Sequence, residues 1–410
     1  MLNVKSTAEA DQILRDVFGH LRTGAESVLL PDSLGRTLAS DIVAEQYVPD
    51  FNRSAVDGFA VRASDTFGAG FATPAMLPFA EGASVGEKPK ALDQGQCQYV
   101  PTGGEIPRGA DAMVMIEDVE DYGDGQKYIL QPTAPGRHII FRGDDVSPGK
   151  RVLPSGRVLR PQDIGTLAAL GIRAVEARVK PVVGIVSTGD ELVDIHVAPQ
   201  RAQVRDINTH ALSAGVLSSG GKPVRYGIIP DDHTRIKNAV ASALHDCDML
   251  LLSGGSSVGS LDYARRVIGE LARESGHSEI LLHGIAVKPG KPTLICSIRG
   301  KPVFGLPGHP MAAFFMYKRF VSPLLSNMMG RNENHPTQRA VLSVNIPSNT
   351  GREELVPVRL TEHAGGGWTA DPIMGKSGLI SILSEAAGYI RIPREQEGLM
   401  AGAEITAHLL

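Results

Sequence analysis

Two carboxylates and two lysines are the side chains of this 410-residue sequence whose spacing best suits them to chemistry. Glu191 ends the run Ser187-Thr188-Gly189-Asp190-Glu191, and Asp262 follows the glycine-rich stretch Ser253-Gly254-Gly255-Ser256-Ser257-Val258-Gly259. Glycines at the end of a buried strand let the backbone approach a ligand, and the amides of the turn and of the next helical turn point at whatever sits there. An anion is the expected guest. The stretch lacks Gly-Lys-Ser/Thr and the glycine spacing of a dinucleotide loop, so neither of those nucleotide sites is predicted. Carboxylates flanking a phosphate repel it unless a divalent cation lies between, and magnesium is held by one or two carboxylates plus phosphate oxygens. Glu191 and Asp262 are therefore the expected ligands of a magnesium–phosphate site. Each part has a plainer alternative: glycines that serve packing only, and Asp262 as a favourable charge in the first turn of a helix.

The lysines lie in Ala286-Val287-Lys288-Pro289-Gly290-Lys291-Pro292-Thr293. Prolines restrict this loop and hold Lys288 and Lys291 close together. Like charges held near one another are costly unless an anion is shared, so the pair reads as an oxyanion clamp; two lysines pointing into water is the ordinary alternative. Arg53-Ser54-Ala55-Val56-Asp57-Gly58 places a cation, a hydroxyl and a carboxylate beside an Asp-Gly pair, which by itself reads as a hairpin turn. Thr102 lies in a loop of small residues from Val100 to Val114, and Asp144-Asp145 follow Arg142 in another polar turn. Both are consistent with plain turns. His309, in Pro307-Gly308-His309-Pro310, reads better as a helix start than as a ligand or base, with Pro310 at the first helical position.

The elements that must position these groups are legible as alternating strands and helices. Val182 to Val186 is a continuous apolar run of the kind buried in a parallel sheet. It is followed by a helix over 208–217, a strand over 224–229, a helix over 233–244, a strand over 249–252, a helix from Leu261, a strand over 302–306 and a helix over 311–320. This spacing predicts a doubly wound, mostly parallel sheet, whose ligands sit beyond the carboxyl ends of the strands. Ser187 to Glu191, Asp231-Asp232 and Ser253 to Gly259 all fall at that edge. Before it, Thr7 is the expected N-cap of a helix over 8–21 that buries Ala10, Ile13, Leu14, Val17 and Leu21 on one face. Pro161 to Gly171 reads as a short helix closed by glycine. Short apolar runs between glycines and prolines predict a β-rich inserted domain over 47–140 and a small β-barrel-like domain over 328–410. The multidomain α/β plus β chain is thus divided into a linking domain from 1–46 and 141–177, whose N-terminal helix packs on the α/β domain, the insertion at 47–140, the α/β domain at 178–327 and the C-terminal domain at 328–410.

Composition narrows the function. With 45 acidic and 41 basic side chains the formal charge is −4, and no long run of either sign occurs. Nucleic-acid binding through a basic surface is not expected. The three cysteines, Cys97, Cys247 and Cys296, are too widely spaced for a zinc site and fit a reducing compartment. No secretory signal or membrane-length apolar run is present, so a cytoplasmic location is expected.

Arg53-Ser-Ala-Val-Asp57-Gly-Phe-Ala60, Pro101-Thr-Gly103, Ser187-Thr-Gly-Asp-Glu-Leu192, Ser253-Gly-Gly-Ser-Ser-Val-Gly259 with Asp262-Tyr263, Lys288-Pro-Gly-Lys-Pro292 and Gly305-Leu-Pro-Gly-His-Pro310 together resemble, in this order, the molybdopterin molybdenumtransferases, the bacterial MoeA proteins and the gephyrin E-domain. The resemblance covers essentially the whole chain. It implies insertion of molybdate into adenylylated molybdopterin, assisted by magnesium, with release of AMP and formation of molybdenum cofactor. It further implies four domains in an elongated homodimer, with the active site between subunits, and transient encounters with a molybdopterin adenylyltransferase and molybdoenzyme chaperones. Carried over by residue, Glu191 and Asp262 hold the metal. Thr188, Gly189, Asp190, Ser253, Gly254, Gly255, Gly259, Pro307 and Gly308 bind adenylylated molybdopterin. Lys288, Lys291, Pro292, Arg352 and Ser377 receive molybdate. Asp57, Thr102 and Asp145, with the two lysines, match positions that matter for activity, Asp57 and Thr102 reaching across the dimer. Val56, Ser256 and His309 depart from the usual methionine, valine and asparagine. Cleaving a phosphoanhydride needs little covalent chemistry from side chains, so no nucleophile is assigned and Asp57 is the candidate for proton handling or metal positioning. Competing readings are an adenylyltransferase or nucleotide pyrophosphatase on the same α/β domain, and a gephyrin-like scaffold.

Overall fold

The computed structural model describes residues 4–81, 88–254, 266–271, 273, 278–331, 336–376 and 378–410. Its central sheet runs in the order Lys222–Ile229, Val182–Thr188, Met249–Gly254, Lys301–Leu306, Leu294–Ile298, Ser278–His283. The first four strands are parallel, and the last two are joined at one edge by successive antiparallel pairings. Those two edge strands flank the Ala286 to Thr293 turn, and no element is expected at either from the sequence. Alternation along the strands feeds two cores. Val183, Ile185, Met249 and Leu251 pack against Leu212 and Val216 of the helix Asn208–Ser218. Val186, Leu250 and Leu252 pack on the other side against Ile236, Val240 and Ala243 of the helix His233–Asp246. The sheet is therefore doubly wound, as expected.

The first helix is Thr7–Phe18, and its N-cap is Ser6, not Thr7. Ser6 Oγ accepts from the Glu9 amide at 3.2 Å while Glu9 Oε2 accepts from the Ser6 amide at 2.8 Å, a reciprocal pairing that Thr7 could not make with the residue three places on. The helix stops at Phe18, short of the expected Leu21, because Gly19 takes the C-cap. Ala10, Leu14 and Phe18 are buried in the first core of the α/β sheet. The helix begun by Pro310 also differs from its expected span: it passes through a wider turn at Tyr317–Val321 and continues as Ser322–Met328.

On either side of the insertion, Ala25–Leu29 pairs antiparallel with Ala174–Arg178, and Ile42–Val43 with Arg151–Leu153. The insertion contains a six-stranded sheet built from segments between Gly58 and Ile129, with its own small core around Phe59, Val61, Leu77 and Val114. Asp57-Gly58 is not a hairpin turn. Arg53–Ser54 pairs with Ile139–Ile140, whereas Gly58–Val61 pairs with Ala112–Met115. Glycine is needed for closeness: a Cβ at Gly58 would lie 2.0 Å from the Val114 carbonyl oxygen.

The C-terminal strands close into a barrel. Glu353–Glu362 pairs with Trp368–Pro372 and Gly388–Ile392, and the circuit is completed through Thr337–Leu342 and Glu404–Leu409. Val356, Val358, Ala370, Ile390 and Ile392 fill its interior. Leu355, on the opposite face of its strand, packs into the α/β core, so the barrel is seated on the sheet domain through alternate residues of one strand.

Candidate functional site

Two cavities adjoin at the carboxyl edge of the central sheet, and His309 lines both. The smaller, about 350 Å³, is lined by Thr188, Glu191, Ser253, Gly254 and Gly308 from the strand ends, with Asp206 and Asn208 at the start of the following helix. Its walls are tied to one another. Asn208 Nδ2 donates to Ser253 Oγ at 2.7 Å and to the Gly308 carbonyl at 2.9 Å. Asp206 Oδ1 accepts from Ser187 Oγ and from the Thr209 amide, each at 3.1 Å. These groups are buried, so each unmade bond would carry a desolvation cost, and the lattice fixes three strand ends in one arrangement. Gly254 has φ +159°, and a Cβ there would lie 2.2 Å from the Thr188 carbonyl oxygen; only glycine lets these strand ends meet.

Negative charge gathers beside this cavity. Gly189 and Asp190 connect Thr188 to Glu191, and Asp190 Oδ1 accepts from the Asp231 amide at 3.1 Å. Burial, and then the charges of Asp190 and Glu191, raise the Asp231 carboxyl above its ordinary value. Among the described residues Asp231 Oδ1 is buried without a hydrogen-bond partner. Also among them, no three His, Cys, Asp or Glu side chains make a complete metal set. Magnesium does not require one, since one or two carboxylates plus phosphate oxygens and water suffice. Glu191 on the cavity wall and an orphaned carboxylate oxygen beside it are a donor set that fits such an ion. Asp262, Gly255, Gly259 and Ser377 lie outside the described residues.

The larger cavity, about 760 Å³, spans the α/β domain and the barrel. Lys288, Lys291 and Pro292 enter from one side and Arg352 from the other, with Pro307 at the back. Lys376 joins them, a cation the sequence reading missed because a lone lysine in a polar turn carries no local signal. Among the described residues Arg352 Nε is buried with no hydrogen-bond partner. Gly290, φ +124°, brings the lysine loop onto the helix behind it, where a Cβ would lie 2.5 Å from Met316 Sδ. The clamp is not two bare lysines: Lys288 Nζ lies 2.6 Å from Glu354 Oε1.

The structure brings Asp57 and Thr102 together, the Thr102 amide donating to Asp57 Oδ1 at 2.9 Å. With Asp145 they are exposed on the chain and line neither cavity. His309 does start its helix as expected, but its place in both cavity walls was not legible. Asp206 and Asn208 were also missed; a polar Asp-x-Asn at a strand-to-helix junction was the available signal.

Residues 5–171 match the family model of the MoeA N-terminal region (domain I and II), residues 184–327 the "Probable molybdopterin binding domain", and residues 339–410 the MoeA C-terminal region (domain IV). The molybdopterin molybdenumtransferase of Bacillus subtilis is 30% identical over 417 residues, covering 100% of this chain and 96% of that protein. Molybdopterin molybdenumtransferase 2 of Mycobacterium tuberculosis is 31% identical over 402 residues, covering 96% and 98%. A crystal structure of the molybdopterin biosynthesis MoeA protein of Pyrococcus horikoshii superposes with a TM-score of 0.85 at 34% identity, over 100% of both chains. With both cavities assembled from the matched regions, the chain belongs to the MoeA family of molybdopterin molybdenumtransferases.

Proposed function

We propose that the protein inserts molybdate into adenylylated molybdopterin and releases AMP, with the oxyanion in the larger cavity and the phosphates in the smaller. The observation that carries this reading is the contact of two cavities of opposite character at His309, one walled by Lys288, Lys291, Arg352 and Lys376, the other by strand-end glycines and Glu191. A dianionic oxyanion must be brought beside a phosphoanhydride, so both negative groups need separate neutralisation.

In this reading Lys291, Arg352 and Lys376 hold molybdate, with Lys288 and Pro292 at its edge, and Ser377 is a further molybdate ligand. Thr188, Gly189, Asp190, Ser253, Gly254, Gly255, Gly259, Pro307 and Gly308 bind the adenylylated pterin, with its phosphates at the end of the Met249–Gly254 strand. Magnesium would be held by Glu191 and Asp262, with Asp231 close by, and when bound would neutralise charge on the phosphates. The side chains bind, orient and exclude water; none is assigned as a nucleophile. Incubation with adenylylated molybdopterin, magnesium and molybdate should release AMP in proportion to cofactor formed. AMP release that ignores molybdate, or none at all, would overturn the reading.

Asp57 and Thr102 belong to the proposal as groups supplied by the second subunit of a homodimer, and Asp145 as a further group that matters for activity. Co-expressed Asp57→Ala and Lys291→Ala chains, each with little activity alone, should then recover about a quarter of the parent activity, because half of randomly paired dimers hold one intact site. No recovery would place Asp57 outside the site. A cytoplasmic location, with a molybdopterin adenylyltransferase upstream and molybdoenzyme chaperones downstream, completes the proposal; three buried free thiols support the reducing compartment.

A further inference from the structure

Lys288 is already partnered before any anion arrives. Its ammonium meets Glu354 Oε1 at 2.6 Å, and Glu354 Oε2 accepts from Ser348 Oγ at 2.7 Å. The pairing is set by the backbone. Val287–Lys288 runs parallel to the start of Glu353–Glu362 with Lys288 opposite Glu354. Arg352 and Glu354 line the cavity, whereas Glu353 does not and is met by Arg319 and Arg391. The two partners differ in freedom: the Lys288 side chain is 47% exposed and that of Glu354 11%. The carboxylate is the fixed member of the pair and the lysine the one able to move.

A fixed carboxylate in the wall of an anion cavity has two opposed effects. It holds a long side chain in place, and it repels the ligand while competing for the lysine. Repulsion between charges a few ångströms apart in a partly enclosed site outweighs the modest entropy of ordering one exposed lysine. We propose that Glu354 is an internal counter-ion of the oxyanion cavity: it occupies Lys288 while the cavity is empty, an incoming oxyanion must exchange with it for the ammonium, and it thereby sets the affinity threshold of the site. Simple oxyanions present at modest concentration are then kept from filling the cavity ahead of the pterin. The assignment rests on the oxyanion reading of the cavity given above.

The test is equilibrium binding of tungstate and of sulfate to the full chain, for the parent, Glu354→Gln, Glu354→Asp and Lys291→Ala. Glu354→Gln should bind both anions about tenfold more tightly, and its KM for molybdate should fall while that for adenylylated molybdopterin stays put. Glu354→Asp, which keeps the charge, should stay near the parent. A gain in affinity is the decisive readout, since a cavity that is merely damaged binds less. If the parent binds tungstate and Lys291→Ala does not, but Glu354→Gln binds no tighter than the parent, the counter-ion assignment falls and the oxyanion site stands. If neither the parent nor Glu354→Gln binds either anion, both fall.

Discussion

The two cavities that meet at His309 are held together in different ways. The smaller is made chiefly by neighbouring strand ends of one sheet, with Gly378 of the C-terminal domain also in its wall, and its polar groups satisfy one another through Asn208, Asp206, Ser187 and Thr209. The larger exists only because a second core is docked against the first. Leu355 of the barrel sits in the α/β core, and around it Glu353 joins three elements: Thr7 Oγ1 donates to it at 3.2 Å, Arg391 pairs with it at 2.7 Å, and Arg319 lies 3.7 Å away while binding Asp11 of the first helix. One cavity is mainly a property of secondary structure; the other is a property of docking. If the proposed function holds, damage to docking should therefore weaken the oxyanion more than the pterin phosphates.

The largest effect expected is at the cations themselves. Lys291→Ala removes a charge that no described carboxylate is seen to neutralise, and molybdate-dependent AMP release should fall about a hundredfold, the scale of losing one oxyanion ligand. The loss should appear in KM for molybdate and spare binding of adenylylated pterin, measured by equilibrium dialysis. Equal loss of both would mean that the cavities are not separable.

This difference also explains what the sequence could reveal. Apolar runs at 182–186, 249–252 and 302–306 give the parallel strands, and the turns that follow them are the smaller cavity, because chain order and sheet edge coincide there. The Lys288 loop was legible as a cationic turn, but its pairing with Glu354 was not, since the partner arrives from a strand 66 residues later, the difference between 354 and 288. Asp57-Gly58 misled for a related reason: its glycine answers a close approach to Val114, which local turn chemistry cannot express. Leu355 and Glu353 likewise read locally as parts of an ordinary strand, and only the docked barrel shows that they face another core.

Glu353→Gln tests the docking directly. It leaves Arg391 without its carboxylate and Arg319 with Asp11 alone, and breaking a buried ion network by removing one partner costs about 3 kcal/mol. Chemical denaturation should report that loss, and the surviving folded enzyme should show a raised KM for molybdate with an unchanged KM for the pterin. Asn208→Ala is the mirror case. It removes two hydrogen bonds from buried partners, about 2 kcal/mol in all, and it should weaken the pterin while leaving tungstate affinity where it was. If each variant moved both ligands, the division between strand-edge and docked cavities would be wrong.

The smallest effect separates the cavities by charge. Glu354 offsets positive charge in the larger cavity, whereas Asp231 adds negative charge beside the smaller one, where burial and then Asp190 and Glu191 raise its carboxyl above the ordinary 3.8. A carboxyl raised in the folded chain holds its proton more tightly there than in the unfolded chain. Stability is then lost as pH climbs from 3.8 through the raised folded value, and above that value the folded chain bears the full penalty. Asp231→Asn should accordingly raise Tm at pH 7 without magnesium, with the gain vanishing below 3.8. Magnesium should raise the parent's Tm by binding the folded state, and the variant's by less. An Asp231→Asn chain that melts lower than the parent at pH 7 would mean that this carboxylate is neutralised by groups of the chain itself, and the smaller cavity would then be charge-balanced in the same way as the larger.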